Sequence, residues 1–322
     1  MTKNRNRMAS ESGSLMADVV IVGGGPAGLS AALWCTELGL GAVIVEGGPD
    51  FGGQLLRIHN PIRNYLGFKA ATGRQMRDHF VAQVADCDFR RLVNISVTEF
   101  DFGKKIVTLG DSEKLNARTI ILATGVRRRR LEIEGETEFH GKGILESGAK
   151  EQASVRGKRV LIVGGGDAAL ENALILSRHA KSVTVVHRRP ELRAREEFVD
   201  AATLDPNITF ISETSVTRID GVRSVEFVEL KNSASGGRLK VPTDFVLIRI
   251  GVGPNSDLAR GMLDLDEQGY IIVDRSCHTS VEGIFAAGDV ALPLSPTISS
   301  ATGSGATAAK ASYDWIYKQI RL

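Results

Sequence analysis

The sequence predicts an α/β protein of two domains, each built on a parallel sheet. Two observations predict it. An apolar β-run, a glycine-rich turn and a helix-like stretch follow one another at residues 18–38 and again at residues 159–176. Each copy then reaches a second β-run whose end lies at the same distance: Gly23 to Glu46 and Gly164 to His187 are both 23 residues apart. Equal order and spacing mark an internal duplication of one βαβ unit. A chain of 322 residues is the length of two ordinary domains.

The first sixteen residues are polar, with Lys3, Arg5 and Arg7 and no apolar stretch after them. They are expected to be a disordered tail rather than a signal peptide. Val19-Val20-Ile21-Val22 then reads as a strand buried on both faces, because it is continuously apolar and β-branched. Gly23, Gly25 and Gly28 form a G-x-G-x-x-G turn into a helix over Ala27–Leu38. The first glycine permits the tight turn, the second lets backbone approach a pyrophosphate, and the third lets helix and strand pack closely. Phosphates then sit on the positive helix N-terminus. Glu46 closes the strand Ala42–Val45, where a carboxylate can accept both hydroxyls of an adenosine ribose.

The second copy runs from the strand Arg159–Val163 through Gly164, Gly166 and Ala169 to the strand Val183–Val186. It ends differently, in His187, Arg188 and Arg189, with Arg193 and Arg195 soon after. Arginines pair with a 2′-phosphate that a carboxylate repels. The first site should therefore take an unphosphorylated adenosine, as in FAD or NAD, and the second NADP. Other segments suit close cofactor approach: Ala123, Thr124 and Gly125 end a buried strand, Gly288 and Asp289 end another, and Gly53 and Gln54 follow the first unit. Asp289 could bond a ribityl hydroxyl. Gly303 and Gly305 are expected to begin the C-terminal helix, whose N-terminus could stabilise negative charge on a flavin.

Composition narrows the function classes. There are 35 glycines against nine prolines, as many tight strand-to-helix turns require. The net charge of +2 is too balanced for nucleic-acid binding. No run approaches a membrane span. The three cysteines, Cys35, Cys87 and Cys277, are too scattered for a metal site or a disulfide framework, and a cytoplasmic protein is expected.

The chain resembles the low-molecular-weight thioredoxin reductases over roughly residues 17 to 315. The resemblance is carried by GGGPAGLSAA at 23–32, GGQL at 52–55, NYLGF at 64–68, ATG at 123–125, GGGDAALENA at 164–173, HRRPELRAR at 187–195, TSVEGIFAAGDV at 279–290 and GSGATAA at 303–309. It implies two Rossmann-like, three-layer ββα-type dinucleotide-binding domains: a discontinuous FAD domain at 17–126 and 250–322, and an NADPH domain at 127–249. It also implies a homodimer and NADPH reducing FAD. Thioredoxin reductases carry a CxxC in the NADPH domain, and by count from Gly164 its positions here hold Ser147 and Lys150. Neither side chain can cycle between dithiol and disulfide. A CxxC-less branch similar to this family works as ferredoxin–NADP+ reductase. That branch usually has a C-terminal extension placing an aromatic on the flavin, whereas Tyr313, Trp315 and Tyr317 are the only late aromatics here.

Three readings follow: an NADPH-dependent flavin reductase of ferredoxin or flavodoxin, an NADPH oxidoreductase for a small acceptor such as a quinone, and a non-enzymatic flavoprotein with a vestigial NADPH site. The run Arg127–Arg130 is expected to be either a solvated linker or a patch that steers an acidic partner. His140 is expected to be structural.

Overall fold

The computed structural model describes residues 15–110, 112–291 and 294–321. The chain divides into two compact units. One runs to Arg127 and resumes at Gly253, and the other spans Arg128–Val252. Both boundaries differ from the expected 126/127 and 249/250. Residues 250–252 stay with the second unit because the Arg129 N–H donates to the Gly251 carbonyl at 3.1 Å and its Nε donates to the Val252 carbonyl at 2.8 Å. Arg127 stays with the first unit through its 2.6 Å ion pair with Asp257.

Most of the expected tail lies outside the described residues. Leu15 and Met16 do not belong to it: they open the strand Leu15–Val22 and pair with Leu115 and Asn116. The reason is backbone pairing, because the neighbouring strand Lys114–Leu122 is long enough to hold them.

In the first unit, Leu15–Val22 lies between Ala42–Glu46 and Lys114–Leu122, parallel to both. Phe89–Val93 adds to one edge. Ile284–Ala286 pairs in parallel with Ile120–Leu122, so the last third of the chain returns to this sheet. The continuous apolar run is explained by burial on both faces. Val19 and Ile21 pack with the helices Pro26–Glu37 and Ile298–Arg321. Val20 and Val22 pack with Phe100, Val107 and Leu109 of the antiparallel strands Val97–Asp101 and Ile106–Leu109.

The second unit repeats the plan. Arg159–Val163 lies between Ser182–Val186 and Phe245–Ile248 in a five-stranded parallel sheet. Val160 and Ile162 face the helices Asp167–Ser177 and Glu196–Leu204. Leu161 and Val163 face a three-stranded antiparallel sheet, meeting Val216, Ile219 and Val228. Helices, parallel sheet and antiparallel sheet make the three layers, so the expected three-layer α/β architecture is the observed one.

The last helix corrects one expectation. It begins at Ile298, so Gly303 and Gly305 lie inside it. The Thr297 and Ser300 side chains exchange hydrogen bonds with each other's backbone N–H at that start, which lets the helix begin a turn and more before the glycines. Gly305 instead permits contact with the first helix, because a Cβ there would stand 2.1 Å from the Ala27 carbonyl oxygen. The late aromatics pack this helix: Tyr313 and Trp315 lie against the first core, and the Tyr313 and Tyr317 rings are 4.3 Å apart.

Candidate functional site

Each glycine turn opens onto its own cleft. In the first unit the turn leaves strand Leu15–Val22 at Gly23, whose φ of +108° belongs to glycine. A Cβ on Gly23 would also lie 2.3 Å from the Ala123 carbonyl oxygen. Pro26 occupies the first turn of the helix, where its missing N–H leaves no intrahelical bond unmade. The result is a helix N-terminus aimed into a cleft of about 580 Å³. Gly23, Gly25, Glu46, Gly53 and Gln54 line it, with Ala123, Thr124, Gly125, Gly288 and Asp289. Gly28 does not line the cleft. It lies against the strand, where a Cβ would come 1.9 Å from the Gly23 carbonyl oxygen.

Several of these side chains have structural duties the sequence did not show. Glu46 Oε2 accepts the Gly24 N–H and Oε1 accepts the Gly48 N–H, both at 2.7 Å. Each carboxylate oxygen keeps a further lone pair for a ligand hydroxyl. The Gln54 amide donates to the Val126 carbonyl at 2.6 Å. Asn255, absent from the sequence expectations, completes the floor: its amide donates to Thr124 O at 2.8 Å, while the Thr124 hydroxyl donates to Asn255 O at 2.7 Å. Only the Pro-Asn pair after a glycine-rich stretch could have pointed to it. Asp289 is half-buried, and its carboxyl, held above the usual carboxylate range by that burial, has no hydrogen-bond partner among the described residues. Thr297 and Ile298 bring the N-terminus of the last helix to the same cleft.

The second cleft, about 570 Å³, lies over the second turn. Gly164, Gly166, His187, Arg188, Arg189 and Arg193 line it. Ala169 is buried beneath and does not. Burial lowers the pKa of His187, which keeps positive charge off its ring, and its Nδ1 is buried without a partner among the described residues. Arg195 is also taken: it forms an ion pair with Asp167 at 2.7 Å and another with Glu197 at 2.7 Å. Arg188, Arg189 and Arg193 have no ion pair among the described residues, nor does Arg129, which lines the same cleft. A further cation was missed. Arg249 lines the cleft, donates to the Ile248 and Glu146 carbonyls, and has its pKa pushed down to about 10, first by burial and then by Arg128. A lone arginine ending an apolar strand, Phe245–Ile248, was its signal.

Ser147 and Lys150 stand outside both clefts. They belong to the short helix region Gly148–Glu151, where the Ser147 N–H donates to Glu151 Oε2 at 2.8 Å and Lys150 pairs with Glu146 at 2.9 Å. The cysteines are all free. Cys35 and Cys277 are buried, which pushes their thiols up to about 12 and about 11, and Cys87 is half-buried. Among the described residues no group of three His, Cys, Asp or Glu could hold a metal, and no helix is long and apolar enough to cross a membrane. The Arg127–Arg130 run is mostly exposed, as a solvated segment would be, and it is also bonded to its surroundings. Arg127 is paired with Asp257, Arg128 donates to the Glu146 carbonyl, and Arg130 donates to Thr137 Oγ1 at 2.6 Å. His140 is exposed and pairs through its backbone with Ile144.

Known proteins share this arrangement. The profile of the pyridine nucleotide-disulphide oxidoreductase family matches residues 17–312. The thioredoxin reductase of Mycolicibacterium smegmatis is 35% identical over 307 residues, spanning 94% of this chain and 97% of that protein. That of Listeria innocua is 36% identical over 312 residues, spanning 94% and 93%. Among solved structures, Lactococcus lactis thioredoxin reductase in its FR conformation matches with a TM-score of 0.83 at 32% identity, covering 94% of this chain and 99% of its own.

Proposed function

This chain belongs to the pyridine nucleotide-disulphide oxidoreductase family, as a thioredoxin reductase-like enzyme using FAD and NADPH, and from that premise we propose that it delivers electrons to an external acceptor without a redox-active disulfide. The acceptor we assign is a ferredoxin or flavodoxin, and the working assembly a homodimer. The observation that carries the reading is the pair Ser147 and Lys150 where the family's CxxC is expected.

The residues present fit both cofactors. In the first cleft Asp289 is an unpartnered carboxylate, and at Gly25 the nearest atom to a would-be Cβ is Gly53 Cα at 3.9 Å, which leaves backbone open to a pyrophosphate. In the second, His187 Nδ1 has no partner among the described residues, Gly166 faces open space, and Arg188, Arg189 and Arg193 have no ion pair among the described residues. FAD held here would supply the chemistry that links a two-electron donor, NADPH giving a hydride and leaving as NADP+ and a proton, to two one-electron carriers. Gly23, Gly25 and the N-terminus of helix Pro26–Glu37 hold its pyrophosphate, Glu46 its ribose, and Asp289 a ribityl hydroxyl. Arg188, Arg189 and Arg193 hold the 2′-phosphate of NADPH.

Asp289 makes FAD binding pH-dependent. A hydroxyl donating to its carboxylate favours the ionised form, so binding lowers a pKa that burial had raised. FAD affinity should fall as pH drops through the raised pKa. The apoprotein should respond oppositely: its folded state binds more protons than the unfolded chain, so it gains stability over the same fall. Asp289→Asn should weaken FAD by about tenfold at neutral pH and flatten the profile, as flavin fluorescence quenching would record. An unchanged slope in the variant assigns the pH dependence elsewhere.

The deciding experiment compares acceptors under argon with NADPH as donor. Ferredoxin or flavodoxin should be reduced, and thioredoxin should not, since no thiolate is available to attack its disulfide. Faster turnover with a neutral benzoquinone than with either carrier favours the small-acceptor reading. Replacing Cys35, Cys87 and Cys277 together by Ser should leave quinone turnover within about threefold of wild type. Burying a hydroxyl at Cys35 should cost about 1–3 kcal/mol of stability. A folded, flavin-loaded triple variant without turnover, or a wild type that reduces thioredoxin, places a distant cysteine pair in the electron path.

A further inference from the structure

Between Asp50 and Asp78 the chain carries five Arg and Lys residues and no carboxylate. Arg77 takes both flanking acids, pairing with Asp50 at 3.0 Å and Asp78 at 2.8 Å. The other four, Arg57, Arg63, Lys69 and Arg74, are exposed and have no ion-pair partner among the described residues.

Their placement opposes local stability. Ile62 and Ala70 exchange backbone hydrogen bonds at 2.8 and 3.1 Å, closing a loop. Arg63 and Lys69 follow and precede the paired residues, which puts two positive charges at the two sides of the loop's neck. Arg74 sits in the first turn of helix Gly73–Gln83, which has no acidic residue there, at the positive end of the helix dipole. The loop's tip holds Leu66, an apolar side chain 97% exposed. The segment is otherwise well anchored: Leu55, Ile62, Ala70 and Met76 form a small core of their own. Folding explains that core, but not the four cations or the bare leucine. The segment also adjoins the first cleft, whose wall includes Arg57.

We propose that the surface of Arg63, Leu66, Lys69 and Arg74 is the docking site of an acidic one-electron carrier protein. The inference rests on the reading that electrons leave for such a carrier, and it locates where the carrier sits. Acidic groups on the partner neutralise the positive charges at the loop's neck, steer the encounter, and hold the carrier beside the first cleft. Leu66 supplies the apolar contact inside the charged rim. Arg127–Arg130, the run that composition alone would nominate, is held by internal bonds, and its Arg129 and Arg130 line the second cleft instead.

The test uses the flavin-loaded enzyme, NADPH, a ferredoxin and a neutral benzoquinone. The variant Arg63→Glu/Lys69→Glu/Arg74→Glu should lower kcat/KM for ferredoxin about 100-fold, chiefly through KM, because the attraction is reversed in sign. Quinone reduction should stay within about twofold. In the wild type, raising salt from about 20 to about 300 mM should slow ferredoxin turnover at least tenfold and leave the quinone rate alone, as screening requires. This second measurement decides the matter if the triple variant folds poorly. Ferredoxin turnover indifferent to both salt and charge reversal overturns the docking surface and leaves direct delivery to a carrier standing. No reduction or binding of ferredoxin or flavodoxin at low salt, with quinone reduced normally, overturns the carrier reading and the docking surface with it.

Discussion

Gly28→Ala is expected to cost about 3 kcal/mol or more and to strip the protein of FAD. The third glycine of the first turn has no room for a methyl group: a Cβ would lie 1.9 Å from the Gly23 carbonyl oxygen and 3.5 Å from Ile21 Cγ2. The obstacle is backbone, so no side-chain rotation relieves it. Relief requires helix Pro26–Glu37 to move off the sheet, which opens the core around Leu29, Ala31 and Ala32. It also shifts the helix N-terminus that faces the pyrophosphate. At ~2–4 °C per kcal/mol for a domain of this size, the apoprotein melts about 10 °C lower. The second unit holds the control. Ala169 occupies the equivalent place, and Ala169→Gly should cost about 1–2 kcal/mol, from helix propensity and the loss of one buried methyl. Thermal melts with flavin content measured on the same samples check both. A Gly28→Ala protein that keeps its flavin and melts like wild type removes the steric argument.

The legible parts of the molecule were those set by backbone geometry and periodicity. Both glycine turns, the strands Ala42–Glu46 and Ser182–Val186 that follow them, and the two-sided burial of Val19–Val22 could be read because a parallel strand between two layers must be apolar at every position. The start of the last helix was misread at Gly303. Its true start depends on Thr297 and Ser300 capping, while its glycines answer to a helix crossing over Ala27 that local sequence does not encode. Side-chain partnerships were the other blind spot. Arg193 and Arg195 look alike in a string of arginines. Only folding pairs Arg195 with Asp167, 28 positions earlier, and leaves Arg193 to the cleft. His187 looked like part of a cationic cluster, and burial keeps positive charge off its ring. Arg249 was hidden because its relevance comes from sheet order: strand Phe245–Ile248 pairs with Arg159–Val163 and so ends beside Gly164.

That division of labour among the cations makes the dinucleotide preference the sharpest test of the second cleft. Arg188→Ala should weaken NADPH binding at least tenfold and leave NADH nearly unchanged. Losing one charge-assisted contact to phosphate costs about 1.5–3 kcal/mol, and ~1.4 kcal/mol is a factor of ten. Arg188→Ala with Arg193→Ala should weaken NADPH about 100-fold or more, bringing it close to NADH. Arg195→Ala should do little to either, since that guanidinium answers to Asp167 and Glu197. Arg249 separates the two phosphate sites. It lines the same cleft at the end of strand Phe245–Ile248, away from the run 187–193 in sequence, with its guanidinium bonded to the Ile248 and Glu146 carbonyls. Arg249→Ala should therefore weaken NADPH and NADH by similar factors, about fivefold to tenfold each. Calorimetric titration of the four variants with NADPH, NADH and 2′,5′-ADP reads all of this without turnover. Equal losses of NADPH and NADH in Arg188→Ala would take the 2′-phosphate away from this cluster, and the preference for NADPH would then need another source.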